Sequence, residues 1–350
     1  MSPGSDLAAV AQLTRDTFRQ ACASGICGMM LAITATCAVL CLSVGVSGDV
    51  TLHAEGETTF FLPPPSARAA IPPGAASEGG GTPLGADPEL ARREGIETIG
   101  GRVTLAFGAV SFPLGRDRGD AVRFLELLLA WGAAGTLGLL MALIWTAGFL
   151  PTFLEPGVAS VLLTKPIARW QLLLGKYIGV LIFVGSQVVL FVALTWLGLG
   201  LRTRVWDTTY WWSIPLLLLQ FSVFYSASVL LAVLTRSTVA CAFGAILFWL
   251  LSWGINYGRV MARGLSESRD LPPLTSGLVE TAYAIFPKPI DSGLILFNAL
   301  DAGHHFEKPV LFTLLESGGA FSPHLSILSS LALTGALLAL SAHEFRAKDY

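Results

Sequence analysis

The chain alternates between long apolar runs and polar segments, and the runs have the length that a membrane crossing requires. A transmembrane helix needs about 20 mostly apolar residues to cross the hydrocarbon core of a bilayer. Almost no ionisable side chain lies within the runs, the exception being Glu126 at the edge of the second run. We therefore predict six transmembrane helices, at residues 25–47, 124–148, 178–200, 212–234, 238–257 and 325–342.

The long polar segment 48–123 separates the first two predicted spans. Its ends have β-strand character, because VTLHAEGETTFF (50–61) holds a Glu-Gly turn signal and GRVTLAFGAVSF (101–112) is rich in β-branched and aromatic residues. The middle is rich in Pro, Gly and Ala and can bury little surface, which predicts a linker. We expect a small β-containing insertion that carries this linker.

A second long segment, 258–324, contains two half-apolar stretches, LTSGLVETAYAIF (274–286) and IDSGLILFNALDAG (290–303). Each predicts a short helix, with Ser276 or Ser292 at its start, and the Pro-Lys-Pro of 287–289 separates the two. Both helices are too short to cross a bilayer. We predict that they lie at the membrane surface or dip into the membrane and return.

Composition agrees with a polytopic membrane protein. The 350 residues are 53% hydrophobic and 13% charged, whereas soluble domains hold roughly 25% charged residues. The net charge of −2 and the absence of a dense basic run give no indication of nucleic-acid binding. The uncharged stretch after Arg19 is longer than the apolar core of a signal peptide, so we expect a retained membrane anchor.

The distribution of cations predicts which side of the membrane each connection occupies. Six spans put both termini on one side, and cations concentrate in the short pieces on that side, as the positive-inside rule requires of the cytosol. The predicted cytosolic parts are 1–24, 149–177, 235–237 and 343–350, while 48–123, 201–211 and 258–324 lie outside. The cytosolic cations are Arg15, Arg19, Lys165, Arg169, Lys176, Arg236, Arg346 and Lys348.

Residues 149–177 connect the second and third predicted spans. Glu155 and Pro156 mark a helix start, and Lys165-Pro166 marks its end, because the residue before proline is biased away from helix. The apolar positions between them follow helical spacing and are Val158, Val161 and Leu162. The pattern predicts a short amphipathic helix under the cytosolic face of the bilayer.

The same stretch resembles the cytosolic loop of membrane subunits of ATP-binding-cassette exporters of the type-2 permease family. In that family the loop commonly reads as an acidic residue, a glycine, a leucine pair, Lys-Pro, an arginine and Gly-Lys. The interfacial segment 1–24 before six spans and the basic tail 343–350 are similar to the family plan as well. The matching loop residues here are Glu155, Gly157, Leu162, Leu163, Lys165, Pro166, Arg169, Gly175 and Lys176.

The resemblance implies that these residues form and follow a coupling helix that docks onto a separate ATPase subunit. It implies two permease subunits, as a homodimer or heterodimer, above two ATPases that bind ATP and Mg²⁺. This chain would hold no cofactor and would not itself be catalytic. It would lie in the cell inner membrane among lipids, and the segment 48–123 could bind a further partner outside.

The residues alone indicate whether this chain could power transport by itself. Secondary transporters carry ionisable groups within their spans to hold the coupling ion or proton, and the predicted spans have essentially none. The sequence also lacks the G-x-x-x-x-G-K-[ST] phosphate loop of an ATPase. If the chain transports a substrate, the energy comes from another chain.

Two other classes of function remain as hypotheses. The chain could be a membrane scaffold or mechanotransmission subunit that binds a partner through 48–123. It could also be a membrane-embedded enzyme, for which His304 and His305, near Asp301 and Glu307, are weak candidate metal ligands.

Overall fold

The computed structural model describes residues 3–47, 101–114, 118–154, 169–266, 273–304, 308–317 and 321–347. Its helices are α1 Pro3–Ala23, α2 Ile26–Ser43, α3 Arg118–Leu127, α4 Leu139–Thr146, α5 Phe149–Phe153, α6 Arg169–Thr203, α7 Ser213–Thr235, α8 Thr238–Ser266, α9 Pro273–Ile285, α10 Pro289–Ala299, α11 Val310–Ser317 and α12 Pro323–Ala347. A π-helical stretch, Leu128–Gly138, joins α3 to α4. The strands are β1 Gly45–Ser47, β2 Gly101–Leu105 and β3 Val110–Leu114.

Within this described part, six helical segments are long and apolar enough to cross a membrane. The prediction of an all-α polytopic membrane protein with six spans is therefore confirmed. The segments are Ile26–Ser43, Gly119–Phe153, Arg169–Thr203, Thr209–Thr235, Thr238–Ala262 and Pro323–Ala347.

Several span boundaries differ from the sequence prediction, and two of them have a clear local cause. The first helix ends at Ser43, because Val44 is extended and the chain then enters β1. The third span begins at Arg169 rather than at residue 178, since nothing after Pro166 breaks the helix. Its 35 residues make a rod of about 50 Å, compared with a hydrocarbon core of about 30 Å, so part of the helix extends beyond the membrane core.

The N-terminal helix α1 packs along those first turns of α6. Its buried face repeats every fourth residue, at Leu13, Thr17 and Ala21, as one side of a helix requires. A Cβ built on Gly179 of α6 would lie 3.0 Å from the Thr17 hydroxyl, so a larger residue there would press against α1. The ring of Phe18 meets Phe183 edge-on at 5.3 Å between centroids.

Helix α7 is the centre of the bundle. In the most apolar 18-residue part of this span 67% of the residues are buried, whereas only 17% are buried in the corresponding parts of α2, α8 and α12. Large apolar side chains such as Val39, Phe243, Leu247 and Leu328 are exposed on those three helices. These faces have the chemistry of surfaces that meet lipid or a second membrane chain.

The three strands form an antiparallel sheet in the order β1-β2-β3. Val46 and Val103 pack from the sheet against Val122 and Leu199 of the bundle. The prediction of strand structure in GRVTLAFGAVSF is confirmed, while VTLHAEGETTFF and the Pro/Gly-rich linker lie outside the described residues.

The loop between α6 and α7 is fastened by one carboxylate. Asp207 accepts hydrogen bonds from Arg123 Nε at 2.9 Å and from the backbone and hydroxyl of Thr209 at 2.9 and 2.6 Å. Burial alone would raise the pKa of the Asp207 carboxyl, but the bonds from Thr209 and the charge of Arg123 outweigh burial and hold this pKa below its usual value.

We expect Asp207→Asn to lower the free energy of unfolding by about 1–2 kcal/mol at neutral pH, because the charged partner of Arg123 is lost. The lowered pKa means that the charged Asp207 stabilises the fold fully above about pH 4 and progressively less as the pH falls below that value. Denaturant unfolding of the wild type and the variant at pH 7 and pH 3 measures this. A difference that stays the same at both pH values would contradict the assignment.

The two short helices predicted in 258–324 are present as α9 and α10, with the Pro-Lys-Pro between them. Neither serine begins its helix: α9 starts at Pro273, three residues before Ser276, and α10 starts at Pro289. The Ser292 hydroxyl instead donates to the Lys288 carbonyl at 3.1 Å. Helix α10 is largely buried against α7, α8 and α12.

Candidate functional site

The connector between the second and third spans leaves α5 at Phe153 and re-enters a helix at Arg169. Of the nine residues predicted to couple to an ATPase, Glu155, Gly157, Leu162, Leu163, Lys165 and Pro166 lie outside the described residues. Arg169, Gly175 and Lys176 lie in the first turns of α6, not in a loop that ends at 177.

One amide side chain ties the two ends of the connector to the N-terminal helix. The Gln20 Nε2 group of α1 donates to the Thr152 hydroxyl in α5 at 2.8 Å. The Lys176 ammonium in α6 donates to Gln20 Oε1, also at 2.8 Å. Thr152 in turn donates to the Gly148 carbonyl at 2.8 Å, which holds its hydroxyl in place.

Aromatic rings of α5 complete the surroundings of Lys176. The ammonium lies 5.7 Å from the ring centroid of Phe149 and 5.9 Å from that of Phe153. The residue is 4% exposed, and no carboxylate lies within 4 Å of the ammonium in the described part of the chain. Ring faces and an amide oxygen offset some of the free-energy cost of burying this charge.

We call Gln20, Phe149, Thr152, Phe153 and Lys176 the connector junction. It joins three helices through two hydrogen bonds and two ring contacts at the point where the connector begins and ends. Because both ends share the Gln20 amide, α1, α5 and α6 are tied to one another at this point.

A second polar site lies at the opposite end of the bundle, around Asp291 of α10. This carboxylate is completely buried and accepts from Asn256 Nδ2 at 3.2 Å, from the Tyr283 hydroxyl at 2.5 Å and from the Ser326 hydroxyl at 2.5 Å. The donors come from α8, α9 and α12, so one side chain fastens α10 to three other helices.

Two cations accompany this carboxylate. Arg259 is 3% exposed; its Nε lies 3.1 Å from both Glu280 oxygens, and its guanidinium carbon lies 3.6 Å from the Tyr283 ring centroid. The Lys288 ammonium lies 4.7 Å from the same centroid. Burial raises the pKa of Tyr283, and Asp291 raises it further. We call Asn256, Arg259, Glu280, Tyr283, Lys288, Asp291 and Ser326 the Asp291 cluster.

No sequence pattern predicted the Asp291 cluster, and the spans hold more ionisable groups than the sequence predicted. Arg123, Lys176 and Arg259 fall within the longer spans of the structure, and Glu126 is buried. These four ionisable residues all lie toward the ends of their spans. The members of the Asp291 cluster are separated along the chain, so no local motif marks the cluster. Among the uncharged polar residues of the spans, Asn256 donates a hydrogen bond to another helix, whereas the Gln187 amide oxygen has no hydrogen-bond partner.

A metal site receives no support from the described residues. No group of three or more His, Cys, Asp or Glu side chains there could hold a metal ion. His304 lies in a short 3₁₀ turn, Ala302–His304, and His305 and Glu307 lie outside the described residues.

The architecture is that of a multi-pass α-helical membrane protein with a basic connector between its second and third spans. A family described as ABC-2 family transporter protein matches residues 103–350. The chain belongs to that family and is a membrane permease component of an ABC transporter. Members of the family generally work with an ABC ATPase partner. Comparison with curated proteins finds no match.

Proposed function

We propose that this chain is the transmembrane subunit of an ATP-driven exporter and that a separate ATPase drives it through the connector. The observation that carries the proposal is the connector junction, where Gln20 links Thr152 and Lys176 at the two ends of the connector. A segment that receives force from a docked partner needs such a rigid attachment, since a loose loop would absorb the movement.

The proposed orientation places the connector and both termini in the cytosol of a cell whose inner membrane holds the protein. The packing supports a common side: Ala21 near the N-terminus, Phe149 beside the connector and Phe345 near the C-terminus belong to one buried apolar cluster. The short turn between α7 and α8 is at this end too, because a Cβ on Gly148 would lie 3.4 Å from Thr238. The cations of the short connections support the assignment of this end to the cytosol.

The active assembly we propose contains two permease subunits and two ATPases. The exposed apolar faces of α2, α8 and α12 supply surface for the second permease and for lipid. ATP and Mg²⁺ bind the ATPases, and closure of the ATPase pair pushes the connectors. Each connector then shifts α5, α6 and α1 of its own subunit, which changes the contact between the two permeases.

Co-purification with the cognate ATPase tests the proposal. Deletion of 155–163, or replacement of Glu155 by Ala, should abolish or greatly weaken recovery of the ATPase, because the docking helix is lost or altered. Asp207→Asn, at the opposite end of the bundle, is the control and should leave recovery unchanged. Full ATPase recovery by the deletion variant would overturn the proposal.

A further inference from the structure

A cleft opens beside the Asp291 cluster, between α7, the start of α10 and the start of α12. It is a shallow cleft of roughly 420 Å³, part of which is open to its surroundings. One wall is apolar and includes Leu219, Val223 and Ile327. The polar lining consists of Gln220, Lys288, Ser292, Ser326 and Ser330.

The hydroxyl protons of the serines that line the cleft are already used in hydrogen bonds within the chain. The hydroxyls of Ser292 and Ser330 donate to backbone carbonyls, and that of Ser326 donates to Asp291. The Gln220 amide, by contrast, makes no hydrogen bond with the described residues. The lining side chains that keep unused N–H donors are therefore Gln220 and Lys288.

Lys288 is a buried cation without an ion pair in the described part of the chain. It is 5% exposed, donates to the Ser329 hydroxyl and faces the Tyr283 ring, which leaves two of its three N–H groups unused. Asp291 compensates for it only in part, because the two groups form no ion pair and three neutral donors occupy that carboxylate. Burial lowers the pKa of Lys288, Arg259 lowers it as well, and Asp291 only partly opposes them. An anion in the cleft would remove this imbalance.

The apolar wall indicates what carries the anion. Lys288 lies between spans, whereas Gln220 lies about two turns inside α7 and Val223 lies deeper still. On the same turns of α12, Leu328 is 61% exposed beside the cleft, so the cleft borders a surface with the chemistry of a lipid contact. A ligand that matches this order of side chains has an anionic group at Lys288, a hydrogen-bond acceptor at Gln220 and an apolar chain along Val223.

We propose that this cleft binds an anionic phospholipid, with its phosphate on Lys288, an ester carbonyl on the Gln220 amide and an acyl chain along Leu219, Val223 and Ile327. The charge contact selects anionic over zwitterionic headgroups, and the apolar wall selects a lipid over a soluble phosphate. The binding does not depend on an ATPase, so this proposal and the exporter proposal can fail separately.

Native mass spectrometry of the purified full-length chain in detergent, titrated with phosphatidylglycerol, tests the site. Binding should saturate at one tightly held lipid per chain, and phosphatidylcholine should bind at least about tenfold more weakly, because its choline cation would lie near the buried Lys288 and offset the attraction of the phosphate. Lys288→Gln should weaken phosphatidylglycerol binding by a similar factor. Its control is Lys308→Gln, which removes a cation paired with Glu316 outside the cleft and should change nothing.

A second pair of variants leaves Lys288 intact. Ile327→Trp should fill the cleft and displace the lipid, whereas the neighbouring Leu328→Trp, which does not line the cleft, should not. Equal binding of both lipids by every variant would overturn the proposal. Displacement of the lipid by equimolar glycerol 3-phosphate would also overturn it, in favour of a soluble anion.

Discussion

Replacing Lys176 with methionine should leave the ATPase bound to the complex but reduce its permease-dependent ATP hydrolysis about 10- to 30-fold. Methionine keeps most of the apolar volume of the side chain but removes the hydrogen bond to Gln20 and the contacts of the ammonium with the rings of Phe149 and Phe153. Those contacts are together of the order of 2 kcal/mol, which is a factor of about 30. Hydrolysis by the complex in proteoliposomes, per copy of bound ATPase, gives the measurement.

The partner variant Gln20→Leu separates coupling from folding. It breaks the same hydrogen bond from the other side and also releases Thr152, so the double variant should be little worse than either single variant. Melting temperatures of all three complexes are recorded in parallel. Strictly additive losses, or losses that follow the melting temperature alone, would contradict a role of the connector junction in coupling.

Asp291→Ala should lower the free energy of unfolding by about 3–5 kcal/mol, the largest stability effect that we expect from a single substitution in this chain. The change leaves the donors on Asn256, Tyr283 and Ser326 without an acceptor. It also removes the negative charge that faces the buried cations Arg259 and Lys288. Denaturation in mixed micelles, followed by tryptophan fluorescence, measures the loss.

Two further variants calibrate this result. Asp291→Asn keeps one acceptor oxygen and should lose less stability than the alanine variant. Glu316→Ala removes a carboxylate whose ion pair with Lys308 is about one-third exposed and should cost at most about 1 kcal/mol. If Asp291→Ala proved no more harmful than Glu316→Ala, the Asp291 cluster would not hold α10 in the bundle.

Much of the fold follows from local patterns, because a membrane span can be recognised from the length and hydropathy of a single stretch of sequence. The number of spans, the strands of 101–114 and the two short helices around Pro287-Lys-Pro are of this kind. The early start of α6 was missed because its first turns contain Arg169 and Lys176 and look like a loop by charge alone. Helix α1 covers these turns, where Gln20 accepts a hydrogen bond from the Lys176 ammonium.

The candidate sites were harder to predict because they depend on tertiary contacts between distant residues. The Lys176–Gln20 bond joins positions 156 residues apart, and no motif links an N-terminal glutamine to a lysine of the third span. The π-helical stretch of the second span, in which a Cβ on Gly135 would lie 3.4 Å from Leu217, was not predicted either.

Accessibility of position 165 tests most directly the claim that the connector faces the cytosol and receives the ATPase. Lys165→Cys is introduced after Cys22, Cys27, Cys37, Cys41 and Cys241 have been replaced, and a membrane-impermeant maleimide is applied to intact cells and to inverted membrane vesicles. We expect no labelling in cells, full labelling in vesicles stripped of the ATPase, and protection when the ATPase is added back. Labelling of intact cells, or labelling that the bound ATPase does not reduce, would contradict the account.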